Sequence, residues 1–211
     1  MIKNKSKIVK IIKEHILNNK KEYIIVTLIF ITGIFLGVLF VNNSNQDQIN
    51  EISQYLNNFI DKMKNAENIS NIELLKASIK QNILLAITLW FFGTTVIGIP
   101  IVFGVVLYRG FCLGYTISIC ISIMGFSKGL GFIIALLLLQ NIFFIPALLA
   151  LSVSGFKLYK SIVKDNRKEN IKIEVIRHTV FSLIMLIILL ISSIMEVFIS
   201  INISKWLIKY F

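Results

Sequence analysis

Long runs of apolar residues dominate the chain and predict its architecture. A helix needs about 20 apolar residues to cross the hydrocarbon layer of a bilayer. Five runs come near or exceed that length and predict transmembrane helices at residues 23–41, 83–108, 110–126, 130–156 and 179–203. The fold class is therefore all-α, a polytopic membrane protein that forms a single membrane domain over residues 1–211.

Two of these runs are separated by a single charge. Arg109 divides residues 83–108 from residues 110–126, and we place it in a tight cytoplasmic turn between two helices. Pro100 lies inside the first of these runs, so we expect that helix to be tilted or kinked there.

Composition agrees with the membrane assignment. The chain has 211 residues, of which 56% are hydrophobic and 16% charged, and its mean hydropathy is +0.80. A soluble domain carries about 25% charged residues. An ordinary soluble domain is therefore excluded.

Lysine and arginine placement predicts the orientation, because basic residues close to membrane spans accumulate on the cytoplasmic side. The basic segment 1–22 and the basic loop 157–178 are both cytoplasmic in an arrangement with the N-terminus inside and the C-terminus outside. This arrangement places 15 of the 22 basic residues in the cytoplasm. The net charge of +11 then lies mainly against the anionic leaflet of the cell membrane. We predict the lipid bilayer as a partner and no nucleic acid, because the basic segments lack interleaved aromatic residues and any recognition motif.

The largest segment outside the membrane is residues 42–82, and its pattern is that of an amphipathic helix. Its apolar positions recur every three or four residues and are Ile49, Ile52, Tyr55, Leu56, Phe59, Ile60 and Met63. Ser70 and Glu73 have the spacing of a capping box and predict that a second helix begins there. The apolar stripe either packs on the membrane helices or the bilayer, or forms a docking surface for a partner.

Small residues predict where membrane helices touch, since backbones approach closely only where side chains are small. Gly33 and Gly37 stand four residues apart in the first span, and Gly110 and Gly114 repeat that spacing. The two pairs serve internal helix packing or the association of the chain into a homo-oligomer.

Polar residues within the fourth span need partners, because a buried amide is costly in lipid. Gln140 and Asn141 are adjacent near the middle of the membrane, and Pro146 follows. These residues either connect helices or form a site for a partner or a conducted molecule at a broken helix. Glu196 lies near the end of the last span, where we expect a solvated carboxylate at the outer interface.

Catalytic chemistry leaves little trace in the sequence. Metalloprotease, Cys-x-x-Cys, phosphate-loop and nucleophile-elbow motifs are absent. His15 and His178 lie in or beside the basic segments without nearby metal-ligating residues. Cys112 and Cys120, eight residues apart in one helix, are too distant to bridge each other. We therefore predict no enzyme, no catalytic residues, no metal and no cofactor.

Particular strings in the chain resemble the stage II sporulation protein M family. The resemblance rests on the length, the basic N-terminus before a Gly-x-x-x-Gly helix, and four strings along the chain. They are Tyr55-Leu56-Asn57-Asn58-Phe59, Gly98-Ile99-Pro100, Arg109-Gly110-Phe111-Cys112-Leu113-Gly114-Tyr115 and Gln140-Asn141-Ile142-Phe143-Phe144-Ile145-Pro146-Ala147.

This resemblance implies a role in endospore formation. Members of the family sit in the mother-cell membrane at the sporulation septum and hold two cell-wall hydrolases, stage II sporulation proteins D and P. Those partners remodel peptidoglycan during engulfment of the forespore, while the M component anchors and localises them. By this analogy the partners dock on the outer helix, with Tyr55 and Phe59 as anchors. The alternatives are a regulator of hydrolase turnover, and a small transporter or channel that uses Gln140 and Asn141.

Overall fold

The computed structural model describes residues 13–64, 71–164, 168–200 and 202–203, and the regular structure of these residues is helical throughout. Residues 13–18 form a short helical segment before the first long helix. Seven α-helices follow, namely α1 (Lys20–Asn42), α2 (Gln46–Lys64), α3 (Asn71–Gly93), α4 (Ile99–Met124), α5 (Phe126–Ile133), α6 (Leu139–Lys164) and α7 (Lys168–Met195). Two π-helical turns, Ile134–Leu138 and Glu196–Ser200, precede α6 and follow α7.

Five of these helices are long and apolar enough to span a membrane, which confirms the predicted fold class. The spans are Lys20–Asn42, Asn71–Gly93, Ile99–Met124, Gln140–Val163 and Ile171–Ile199. The amphipathic segment after the first span is helical as predicted, and it forms α2.

The predicted boundary at Arg109 is wrong. The second span is α3, which ends at Gly93, and the third is α4, which begins at Ile99 and continues through Arg109 without a break. At the end of α3 the Thr94 hydroxyl donates to the carbonyl of Phe91 at 2.7 Å, which helps to close the last turn. Pro100 then stands in the first turn of α4, where a residue without an N–H donor is tolerated. This proline therefore begins a helix and does not kink one.

Other predicted boundaries shift because helices continue past the apolar runs that mark the bilayer. The predicted outer loop 42–82 contains α2 and also the first residues of α3. The predicted loop 157–178 is largely helical, since α6 extends to Lys164 and α7 begins at Lys168. Lysine is a good helix former. A group of lysines therefore ends the apolar run that marks the bilayer but does not end the helix. Ser70 of the predicted capping box lies outside the described residues, and α3 begins at the next residue.

Helix α6 is the centre of the bundle. In its span 61% of the residues are buried, against 22–33% in the other four spans. Leu148 and Leu151 of α6 are fully buried and belong to one cluster with side chains of α1, α3, α4 and α7. The outer faces of the surrounding helices expose large apolar side chains, as a lipid environment requires. The core therefore lies along α6.

The cytoplasmic end predicted from the basic residues is tied together by polar contacts. Lys160 of α6 pairs with Glu22 of α1 at 2.8 Å. His15, in the helical segment before α1, stacks on the ring of Phe181 at 4.1 Å between centroids and bonds to the Tyr23 hydroxyl at 3.1 Å. The segment 13–18 thus packs on the bundle at this end, while residues 1–12 of the basic segment lie outside the described part.

Candidate functional site

The four predicted packing glycines lie at one contact between α1 and α4. A Cβ atom built at Gly33 would collide with the carbonyl oxygen of Leu107, and one at Gly37 with that of Phe111. Seen from α4, a Cβ at Gly110 would collide with the Phe30 carbonyl, and one at Gly114 with the Ile34 carbonyl. Both pairs therefore face each other within one molecule, and backbone packs directly on backbone.

A polar cavity of about 150 Å³ lies among α3, α4, α6 and the π turn after α7. Its polar lining consists of Ser78, Gln81, Asn82, Arg109, Cys112, Thr116, Gln140, Asn141 and Glu196. The two π turns contact each other beside it. π-helical turns recur at functional sites, and Glu196 is the first residue of the second one.

Glu196 connects three helical elements inside the bundle. Its Oε2 accepts a hydrogen bond from the Ser78 hydroxyl at 2.6 Å and another from Gln140 Nε2 at 2.8 Å. The expectation of a carboxylate simply solvated at the outer interface therefore differs from the structure. Two neutral donors hold one carboxylate oxygen, and the other oxygen has no hydrogen bond among the residues the structure describes.

Arg109 is the second charged group of the cavity. Its guanidinium carbon lies 5.4 Å from the centre of the Phe144 ring, within the range of a cation–π contact. In the described part of the chain it has no hydrogen-bond acceptor and no ion pair. It stands ten residues beyond the start of α4, or ~15 Å along the axis at 1.5 Å per residue. A half-buried cation therefore lies near the middle of the span.

The predicted polar residues of the fourth span take different positions. Gln140 bonds across helices, since its side chain donates to Glu196 and its carbonyl accepts from the Ser192 hydroxyl at 3.1 Å. Asn141 lines the same cavity. Pro146 lies within α6 on an exposed face and takes no part in the cavity. The structure thus brings two of the three residues to one site.

Several residues of this region escaped the sequence-based prediction. Asn82 is buried and donates to the Leu189 carbonyl at 3.1 Å and to the Ser193 hydroxyl at 2.7 Å. The sequence pattern places Asn82 in the outer loop and Arg109 in a turn, because it begins the second span too late along the chain. The signal that could have corrected both is the Gly93-Thr-Thr-Val-Ile-Gly98 stretch before Pro100, which combines helix-stopping and helix-starting residues.

The outer helix α2 presents the predicted docking residues in different ways. Tyr55 is 69% exposed. Ile52 and Leu56 of the same helix pack against a buried cluster at the end of the bundle that includes Val41 and Phe132. The side chain of Phe59 lies outside the described part of the structure. Part of the apolar stripe therefore packs on the membrane helices while Tyr55 stays free for contact.

The two histidines belong to the packing between helices and not to a basic loop. His178 is buried in α7, with Nδ1 2.9 Å from the Ser154 hydroxyl and Nε2 3.4 Å from the Trp90 carbonyl. Burial, followed by the positive charge of Lys157 and the neighbouring His178, lowers the pKa of His15 to about 4. His15 is therefore neutral at physiological pH.

Metal-binding and thiol chemistry find little support in the described ranges. No group of three or more His, Cys, Asp or Glu side chains that could hold a metal ion occurs there. Cys112 and Cys120 are both free thiols, and Cys120 is buried. The arrangement offers charge and hydrogen bonding within the membrane.

Comparison with known proteins gives two matches. The family model described as Stage II sporulation protein M matches residues 26–201. An uncharacterised protein of Methanocaldococcus jannaschii is 29% identical over 193 residues, which cover 90% of this chain and 99% of that protein. No solved structure matches.

Proposed function

This chain belongs to the stage II sporulation protein M family, and we propose that it is a membrane scaffold for peptidoglycan hydrolases. Membership suggests a sporulation membrane protein, and the family is not known as an enzyme family. The finer proposal is that it anchors stage II sporulation proteins D and P at the septum, in the mother-cell membrane, during engulfment of the forespore. The observation that carries this proposal is helix α2, which is fixed to the end of the bundle and leaves Tyr55 exposed.

We infer the orientation in the membrane from the order of the spans along the chain and from the positions of the basic residues. Helix α2 lies between the first and second spans, so it is on the opposite side from the basic stretches 13–21 and 157–177. Basic residues favour the cytoplasmic side. We therefore place the N-terminus in the cytoplasm and α2 on the wall side, where the hydrolases work.

The docking surface lies on α2, with two anchors: Tyr55, which is exposed, and Phe59, which the sequence pattern adds. Aromatic residues provide large contact area at low entropic cost and dominate many interfaces. Ile52 and Leu56 attach the helix to the bundle, so α2 is held in place before the partner arrives. A preorganised helix loses less entropy on binding than a free one.

Copurification from sporulating cells tests the proposal. The tagged chain should recover both hydrolases in mild detergent, and replacing Tyr55 and Phe59 together by Ala should reduce that recovery. Tyr108→Ala is a matched control, because Tyr108 is exposed on the membrane helix α4 and should leave recovery unchanged. Undiminished recovery with the double variant would refute the docking surface. Absence of both hydrolases from the intact wild type would refute the scaffold.

A scaffold can also regulate its partners. A simple tether should alter where the hydrolases act and leave their turnover unchanged, whereas an activator should raise turnover. Hydrolysis rates at saturating partner concentration separate these two versions of the proposal.

A small transporter or channel is the second candidate function. The polar cavity with Arg109, Gln140 and Glu196 within the span is the observation that favours it, because charged groups in membranes often mark transport pathways. Flux into liposomes that Gln140→Leu abolishes would support this candidate, and absence of flux would remove it.

A further inference from the structure

We propose that the cavity between Arg109 and Glu196 binds a small zwitterion, a molecule with a carboxylate at one end and an ammonium group at the other. The proposal does not depend on the scaffold function, since it rests on the chemistry of the cavity. Glycine and alanine are the simplest members of this ligand class.

Unused hydrogen-bonding groups are the first argument. Three half-buried side chains of the cavity have hydrogen-bonding capacity without a partner among the residues that the structure describes. They are Arg109, Asn141 and, through its second oxygen, Glu196. Polar groups at membrane depth are costly unless they are satisfied. Cation and carboxylate face the same space, yet they form no ion pair within 4 Å in the described residues.

Charge balance selects the ligand class. One cation and one carboxylate line the cavity, so it is neutral as a whole. An added anion would leave a net negative charge at membrane depth, and an added cation a net positive one, both at a desolvation cost. A zwitterion keeps the site neutral. Its carboxylate accepts from the fork of Arg109 donors, and its ammonium donates to the free oxygen of Glu196.

Size limits the ligand. The cavity of about 150 Å³ corresponds to roughly five water molecules at ~30 Å³ each. A glycine- or alanine-sized molecule fits this space.

Position along the helices indicates the side of entry. Ser78 lies near the beginning of α3 and Thr116 towards the end of α4, while Glu196 follows α7 directly. Because consecutive spans run in opposite directions, these residues share one half of the membrane, the half that faces α2. Arg109 is the deepest polar residue. The ligand therefore enters from the wall side in the orientation proposed above.

Cys112 offers a probe inside the cavity. With Cys120→Ser, Cys112 becomes the only thiol of the chain. Sealed right-side-out vesicles are treated with a membrane-impermeant methanethiosulfonate reagent, with and without glycine. At about ten times its Kd, glycine should slow labelling roughly tenfold, because occupied sites do not react. Acetate or methylammonium alone, and glycine betaine, which lacks ammonium N–H donors, should protect far less.

Variants assign the effect to the two charges. Arg109→Gln and Glu196→Gln should each abolish protection by glycine, while Arg109→Lys keeps the charge and should retain part of it. Arg177→Gln and Glu51→Gln are matched controls at exposed positions outside the cavity. In both control variants glycine should slow the labelling of Cys112 as much as it does in the Cys120→Ser parent. Melting of the purified protein in detergent, with and without glycine, gives a second readout that does not depend on thiol access.

Clear results would overturn the proposal. Equal protection by acetate would make this a simple anion site, and equal action of glycine betaine would make the effect non-specific. Failure of glycine both to slow labelling and to raise the melting temperature would leave the cavity as a water-filled gap. The scaffold proposal would survive each of these results, because it depends on the hydrolase pull-down.

Discussion

Replacement of Gly110 by Ala adds one methyl group at the contact between α1 and α4. A Cβ atom there collides with the Phe30 carbonyl oxygen, and the neighbouring Ile34 nitrogen lies 3.2 Å away. These atoms belong to backbone, so no side-chain rotation can make room. Gly104 provides a matched control on the same helix, since a Cβ built there has no heavy atom within 4 Å.

The expected size of the effect comes from two opposing terms. Forcing an extra methyl group into a packed contact costs about 1–3 kcal/mol. Replacing Gly by Ala inside a helix stabilises the helix by about 0.5–1 kcal/mol at either position. The second term cancels when the two variants are compared. Gly110→Ala should therefore be less stable than Gly104→Ala by about 1–3 kcal/mol, or about 2–4 °C in melting temperature for each kcal/mol in a chain of this size.

Thermal unfolding of both purified variants in the same detergent measures this difference. Circular dichroism follows loss of helix, and size-exclusion chromatography checks that both variants remain in one oligomeric state. Equal melting temperatures for the two variants would refute the close backbone contact between α1 and α4. A monomer–oligomer change confined to Gly110→Ala would instead assign the glycines to self-association.

Three further predictions concern polar contacts of the bundle. Asn82→Ala removes two hydrogen bonds between helices and should lower the free energy of unfolding by about 0.6–1.7 kcal/mol. Thr88→Ala removes an exposed hydrogen bond within one helix and should change the free energy of unfolding little. Equal effects of the two substitutions would contradict the cross-helix role of Asn82. The lowered pKa of His15, about 4 against 6.5 for the unfolded side chain, means that the unfolded chain binds the extra proton, so stability should fall as pH drops from 6.5 to 4. His15→Phe should flatten the melting temperature over that range, and an unaltered slope would exclude His15 as its source. In the ion pair of Lys160 with Glu22 the lysine is exposed and the carboxylate is partly buried. A double-mutant cycle of these two residues should give a coupling of about 0.2–1 kcal/mol that high salt weakens.

The cavity illustrates what the sequence could and could not predict. Gln140 and Asn141 stand out in an apolar run, so the need for partners follows from composition alone. The partner of Gln140 is Glu196, 56 residues away along the chain, and no local pattern joins these two residues. A charge in an apolar run resembles a boundary between two spans, so the sequence places Arg109 in a turn. The bundle accepts it inside α4 because Phe144 and polar groups of three other elements surround it.

The sequence alone determined the number of membrane spans and the helical character of α2. The reason is that the length and periodicity of apolar runs are local properties, on which the bilayer and water act directly. The tertiary structure decided which residues meet. It set the opposing register of Gly33 with Gly110, the central position of α6, and the placement of Arg109 in a cavity with Glu196. Such contacts depend on the relative rotation and depth of helices far apart in the chain, which packing of the whole bundle fixes.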